Sequence, residues 1–251
     1  METRALRARL FDDETVVGVF QTIPSTMITE SIGLAGFDFT ILDQEHGPIT
    51  ATECMALCAA AENSGMEPII RVRDSTPGEI QRALDTGAGV EIPQIESLED
   101  ARNAASAARF APIGERGLSP YVRAGGYDGD DGYTGKQNGK QPVIVHVEGE
   151  QAVENVEEIM SVEGIDVVFL GPYDLSQSLG IPGDVRNERV EELMDRVCDI
   201  AADRETVVGT YADDIDMATR WIDAGVQFLA LSVDAPIIRR RFEALREELP
   251  R

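Results

Sequence analysis

The chain has 251 residues, 43% of them hydrophobic, which suits one barrel-sized domain or two small ones with a sizeable core and argues against global disorder. Asp and Glu number 46 against 22 Lys and Arg, a net charge of −24, so nucleic acid and anionic membranes are set aside as default partners. No apolar run approaches the roughly 20 residues of a membrane span. Positions 1–11 alternate Arg with Leu and Ala and lack a signal-peptide apolar region, so the expected location is the cytoplasm.

Short apolar runs alternate with longer amphipathic ones along the chain. A strand is expected at 15–23 (TVVGVFQTI), followed by a helix to about position 36. A second strand at 37–42 (FDFTIL) precedes a helix at 50–64, and a third at 67–72 (EPIIRV) precedes a helix at 77–86. Thr76 is positioned as the N-cap of that helix and Gly87 as its stop. The fourth strand spans 90–95 (VEIPQI), with a helix at 98–109. An insertion at 110–141 follows, rich in Gly, Asp and Tyr, and it carries Lys136 and Lys140, the only lysines in the chain. Loops of that length are usually functional or mobile. The fifth strand is 142–147 (PVIVHV) with a helix at 151–160, and the sixth is 165–170 (IDVVFL), followed by a turn and a long helix to 204. The seventh strand at 206–211 and the eighth at 226–233 complete the series, with helices at 215–224 and 236–249.

Eight strand–helix units imply a parallel sheet with right-handed crossovers. At this length they fit a closed (β/α)8 TIM barrel, one domain over 1–251, better than an open doubly wound sheet. No G-x-G-x-x-G opens a helix after the first strand, and no linker or low-complexity segment divides the chain. Cys54 and Cys58 stand four apart in a helical pattern and Cys198 is remote, which reads as reduced core thiols without metal spacing.

Barrel enzymes carry their chemistry at the C-terminal ends of the strands, and polar residues fall there in a set. His46 follows two carboxylates after the second strand. It is the candidate general base, with Asp43 as the carboxylate that orients it. Arg71 ends the third strand, where a guanidinium suits bidentate recognition of a carboxylate or enolate; a structural ion pair is the other reading. Glu148 and Asp174 close the fifth and sixth strands, and two such carboxylates can share a hard divalent cation such as Mg²⁺. A Schiff-base aldolase needs a lysine inside the barrel. The only two lysines sit in the insertion, which leaves metal-assisted enolisation as the barrel route to carbon–carbon cleavage.

At these residues the sequence resembles the metal-dependent class II pyruvate aldolases of the HpcH/HpaI family over nearly the whole chain. The resemblance rests on AGFDFTILDQEHGP (35–48), PIIRV (68–72), ALDTGA (83–88), RFAPIGERG (109–117), VIVHVEGEQAVEN (143–155) and GIDVVFLGPYDLSQSLG (164–180). It implies that His46 is the catalytic base, paired with Asp43, and that Asp85 supports a base from a neighbouring subunit. It implies that Arg71 holds pyruvate and stabilises its enolate, that Glu148 and Asp174 bind Mg²⁺, Mn²⁺ or Co²⁺, and that Gly171, Pro172, Tyr173 and Asp174 form the pyruvyl carboxylate pocket. The Arg123-Ala124 pair resembles a loop motif of the family. The implied activity is reversible cleavage of a 4-hydroxy-2-oxo acid, a 2-keto-3-deoxy sugar acid or 4-hydroxy-2-oxoheptanedioate, to pyruvate and an aldehyde. The implied assembly is a homo-oligomer, typically a hexamer. For assembly, the last helix offers an apolar stripe of Ile237, Ile238, Phe242, Leu245 and Leu249.

Three departures stand out. His146 occupies a position where many members carry Gln, so it is a candidate for substrate or metal contact. Tyr173 replaces what is often a small residue and narrows the space for the aldehyde. Positions 87–93 are one residue short of the usual pattern, which leaves the register of the fourth strand open. The alternatives are a lyase for a citramalyl- or malyl-CoA type thioester, which would need a basic groove, and a non-catalytic metabolite-binding barrel. The acidic residues are scattered, which reads as a solvated surface suited to a saline cytoplasm; an acidic face for a basic partner is the other possibility. Loss of fold stability at low salt would support the first reading.

Overall fold

The computed structural model describes residues 4–204 and 206–250. Eight parallel strands form a closed barrel in sequence order: β1 (Val16–Gln21), β2 (Phe39–Asp43), β3 (Glu67–Arg71), β4 (Gly89–Ile92), β5 (Val143–Val147), β6 (Val167–Leu170), β7 (Val207–Ala212) and β8 (Phe228–Val233). β8 pairs back onto β1, so the expected (β/α)8 architecture is present.

The strands are apolar on both faces because each separates two cores. Side chains alternate sides along a strand, and two clusters follow from that alternation. Leu42, Ile70, Val90, Val145, Val168, Val208 and Leu229 face outward onto the helices. Phe39, Ile41, Ile69, Ile144, Val167, Phe169, Val207 and Phe228 fill the barrel axis. Phe39 stacks on Phe228 at 4.0 Å. Gly18 makes room for that stack, since a Cβ there would lie 2.2 Å from a Phe39 ring carbon.

The helices are α1 (Leu6–Leu10), α2 (Thr26–Leu34), α3 (Ala51–Asn63), α4 (Pro77–Leu84), α5 (Leu98–Ala108), α6 (Tyr133–Lys140), α7 (Glu150–Glu154), α8 (Val156–Met160), α9 (Pro172–Ser178), α10 (Glu188–Arg204), α11 (Ile215–Asp223) and α12 (Asp234–Glu248). Local chemistry starts several of them. Thr50 and Glu53 form a reciprocal capping box on α3, and Ser97 and Asp214 accept backbone N–H bonds at the starts of α5 and α11. None is long and apolar enough to cross a membrane among the described residues.

The structure adds to and departs from the sequence expectation at several places. The N-terminal Arg/Leu run forms α1, whose buried Leu6 and Leu10 close the N-terminal mouth of the barrel; burying such a side chain contributes about 1.5–3 kcal/mol. The helix after β5 is broken at Asn155 into α7 and α8, and the segment after β6 is two helices, α9 and α10. The 110–141 insertion contains a 3-10 turn at Arg123–Gly125 and α6, and it is anchored to the barrel base by Arg109. The fourth strand, of open register in the sequence, pairs Ile69 with Gly89, Ile70 with Val90 and Arg71 with Glu91.

The three cysteines are buried and unbridged, and burial pushes each thiol up to about 12. They are packing groups, not nucleophiles.

Candidate active site

The period-two alternation that sends Ile41, Ile69 and Ile144 to the barrel axis sends Asp43, Arg71 and His146 there too, one layer nearer the C-terminal mouth. A cavity of about 380 Å³ opens above them, lined by Asp43, His46, Arg71, His146, Gly171, Pro172, Tyr173 and Asp174 together with Phe20, Thr22, Phe169, Tyr211 and Val233. Most of the residues singled out in the sequence therefore meet in one space.

Arg71 is the organiser. Its Nε and Nη2 donate to the two oxygens of Asp43 at 2.9 and 2.8 Å. Its Nη1 lies 3.3 Å from Glu45, and the guanidinium rests over the Phe20 ring at 4.7 Å. Asp43 also accepts the backbone N–H groups of Glu45 and His46. Burial opposes the Asp43 charge, but Arg71 and the two N–H donors outweigh it and hold the carboxyl below its ordinary value. Asp43 thus orients Arg71 and the backbone of the His46 loop; it makes no bond to the imidazole. The acid beside that ring is Glu45, 3.9 Å from Nε2, and the ring itself projects into solvent at the rim. Glu45 was not singled out from sequence, although its place between Asp43 and His46 was the available signal.

Glu148 and Asp174 face each other across Gly171. A Cβ on Gly171 would lie 3.4 Å from Glu148 Oε2 and 3.4 Å from Asp174 Oδ2, so glycine keeps open the space on which both oxygens border. Burial and the Glu148 charge push the Asp174 carboxyl above its ordinary value, as two like charges sharing a site do. Two hard oxygen donors beside an open space suit Mg²⁺ or Mn²⁺, which complete their shells with water and substrate oxygens. The fit is therefore good, although no group of three or more His, Cys, Asp or Glu is gathered for a metal among the described residues.

His146 is buried and stacks on Phe169 at 4.6 Å. Its Nδ1 lies 3.0 Å from Glu148 and its Nε2 2.8 Å from Glu91. Burial opposes the imidazolium, but the two carboxylates prevail and raise it to about 10. With both nitrogens donating, the ring has no lone pair to offer a metal. Glu91, like Glu45, is a site residue that the sequence pattern does not single out. The face on which Glu91 lies depends on the register of β4, which pairs Arg71 with Glu91.

Tyr173 and Tyr211 stand edge to face at 5.9 Å at the outer wall, and both hydroxyls donate to Asp213 at 3.0–3.1 Å. Pro172 starts α9, so the N–H groups of Tyr173 and Asp174 have no partner within that helix. Asp85 does not join the cavity. It is the C-cap of α4, bound to Arg116 at 2.7 Å and to the Ala124 N–H. Helices of a barrel run antiparallel to its strands, so that end of α4 lies at the opposite mouth. Within one chain Asp85 cannot support His46.

Residues 17–240 match the HpcH/HpaI aldolase/citrate lyase family. The hydroxypyruvate/pyruvate aldolase of Paraburkholderia phytofirmans is 32% identical, over 98% of this chain and 97% of its own. The 5-keto-4-deoxy-D-glucarate aldolase of Shigella boydii is 30% identical, over 96% and 94%. The crystal structure of an HpcH/HpaI aldolase/citrate lyase family protein from Burkholderia cenocepacia superposes with a TM-score of 0.91 at 34% identity, over 96% of this chain and 98% of that one.

Proposed function

The chain belongs to the HpcH/HpaI aldolase/citrate lyase family, and from that premise we propose that it is a divalent-metal-dependent aldolase. Its reaction is reversible cleavage of a 4-hydroxy-2-oxo acid, of the 2-keto-3-deoxy sugar acid or 4-hydroxy-2-oxoheptanedioate type, to pyruvate and an aldehyde. The observation that carries the reading is the pair of carboxylate oxygens beside Gly171, where Gly171 and Asp174 line the same cavity as Arg71. The balance of charge supports it. Asp43, Glu45, Glu91, Glu148 and Asp174 outnumber Arg71 and the imidazolium of His146, a surplus that a divalent cation would offset. The two lysines also fit, because α6 carries both and packs against α1 at the closed mouth, away from the cavity.

Mg²⁺, Mn²⁺ or Co²⁺ held by Glu148 and Asp174 would supply Lewis acidity toward the 2-oxo group. Arg71 has five N–H donors. Two are committed to Asp43, and Nη1 lies 3.3 Å from Glu45. The rest are left for the substrate oxygen that gains negative charge as the C3–C4 bond breaks, where electrostatic stabilisation contributes most. The N–H groups of Tyr173 and Asp174 receive the pyruvyl carboxylate. His46 takes the 4-hydroxyl proton, directly or through water, and C3 of the enolate takes up a proton to give pyruvate. Tyr173 and Tyr211 bound the aldehyde half.

Pyruvate release from a panel of 2-keto-3-deoxy acids tests this. Activity is expected to vanish on EDTA treatment and return with Mn²⁺, and His46→Ala is expected to lower kcat by roughly 10²–10⁴-fold. Full turnover by protein shown to retain no metal would overturn the proposal.

A cytoplasmic location, adaptation to salt and assembly into a homo-oligomer, a hexamer by resemblance, belong to the same reading. Ile237, Phe242 and Leu245 on α12 and Leu249 just after it are exposed in the single chain, which agrees with assembly. The mass in solution checks it, and a monomer would count against both the hexamer and a contribution of Asp85 from a neighbouring subunit.

A further inference from the structure

The cavity is unlike at its two ends. Arg71 and the paired carboxylates stand at the pyruvyl end. From there a run of aromatic contacts leads outward. The guanidinium rests over Phe20 at 4.7 Å, Phe20 packs on Tyr211 at 6.1 Å, and Tyr211 on Tyr173 at 5.9 Å. Three hydroxyls line the cavity, those of Thr22, Tyr173 and Tyr211. Each donates to a carboxylate. Thr22 Oγ1 bonds Asp234 at 2.9 Å, and both tyrosines bond Asp213 at 3.0–3.1 Å. A hydroxyl has a single hydrogen, so these three offer a ligand lone pairs and no donor.

Cations are equally scarce there. Arg71 is the only Arg or Lys lining the cavity among the described residues, and it is turned to Asp43. Both nitrogens of His146 are bonded to carboxylates, and His46 is occupied with the 4-hydroxyl. The Asp213 side chain, just after β7, forms no ion pair among the described residues. Arg186 bonds the neighbouring Asp214 at 2.6 Å, and Arg240 bonds the backbone carbonyl of Asp213, at 3.5 Å.

We infer that this wall selects the aldehyde half by charge and polarity, and that the substrate is a hydroxylated 2-oxo acid whose only carboxylate is the pyruvyl one. A hydroxyl on the aldehyde half donates to a tyrosine oxygen or to Asp213. A second carboxylate finds no donor at this wall and meets the Asp213 charge, and like charges brought together in such a site repel. Of the two substrate types proposed above, a 2-keto-3-deoxy sugar acid that releases a neutral hydroxyaldehyde fits, and 4-hydroxy-2-oxoheptanedioate does not. Tyr173 and Asp213 are then specificity-determining side chains, and neither takes part in breaking the C3–C4 bond.

The inference rests on the aldolase reading, and the test separates the two. With Mg²⁺ and pyruvate, the unaltered protein is assayed for aldol addition to glyceraldehyde, butanal and succinic semialdehyde, which are hydroxylated, apolar and anionic in turn. Exchange of the pyruvate methyl hydrogens with D₂O is followed in parallel, since it needs the enolate but no aldehyde. The expected kcat/KM is at least about tenfold higher with glyceraldehyde than with succinic semialdehyde, a modest effect for like charges forced together. D213N keeps an oxygen acceptor for the tyrosines and removes the charge, and it is expected to narrow that gap by raising kcat/KM with succinic semialdehyde. Y173F is expected to lower kcat/KM with glyceraldehyde by roughly 2–10-fold, the worth of one hydrogen bond, and by less with butanal. Equal or better addition to succinic semialdehyde by the unaltered protein, with methyl exchange present, overturns the inference and leaves the aldolase reading standing. An unchanged preference in D213N overturns the assignment to Asp213. Absence of both exchange and addition overturns the inference together with the aldolase reading.

Discussion

Arg71→Lys is expected to lower kcat for pyruvate release by about 10²–10³-fold, equivalent to roughly 2.7–4 kcal/mol of transition-state stabilisation, while the protein stays folded. Lysine keeps a positive charge beside Asp43, so the carboxylate at 3% exposure is not left without a cation. It cannot reproduce the planar fork that spans both Asp43 oxygens and Glu45 at once while still presenting N–H groups to the substrate. An ammonium satisfied by Asp43 would be drawn away from the cavity, and the charge developing on the substrate oxygen would lose its donor. Steady-state kinetics check the assignment. An effect confined to KM, with kcat within a few-fold of the unaltered protein, would mean that Arg71 binds substrate and transition state equally well.

The second large effect is expected at the opposite end of the barrel. Arg109→Met should destabilise the fold by about 3–5 kcal/mol, the range for breaking a buried ion pair. For a domain of this size that lowers the melting temperature by on the order of 10 °C. Arg109 and Asp166 are each 2% exposed. The guanidinium bonds Asp166 and the carbonyls of Gly164, Asn138 and Gln141, so one side chain joins the end of α5, the start of β6 and the whole 110–141 insertion. Methionine fills the volume but leaves Asp166 with Arg7 as its remaining cation and three carbonyls without a donor. Because this network lies away from the cavity, kcat well below the melting transition should change little. A thermal shift of less than about 2 °C would show that Arg7 and water replace the lost partners.

The fold was legible because eight repeats of one pattern, a short β-branched run and then an amphipathic helix, admit few topologies. The candidate site was legible to the extent that it obeys one rule, that polar residues ending apolar strands collect at one mouth. His46, Arg71, Glu148 and Asp174 follow that rule and meet there. The roles within the set were less accessible. Asp43, at the end of β2, and Glu45, in the loop that follows, lie two residues apart, and nothing local says that the first faces Arg71 and the second His46. Asp85 belongs to an element whose C-terminus points away from the site, so only a second chain could bring it near.

The sequence by itself therefore determined the architecture, the acidic balance, the confinement of lysine to the 110–141 insertion and the residue types at the mouth, because composition and periodicity act along the chain. Tertiary structure alone decided which charges touch. A one-residue slip in β4 would turn Glu91 from the barrel axis to the helix layer. Only the closed sheet fixes that register, and with it the contact between Glu91 and His146 across 55 residues of sequence. Hydrogen-bond partners depend on positions within a few tenths of an ångström, and such positions are set by packing from all sides, which no local pattern in the chain encodes.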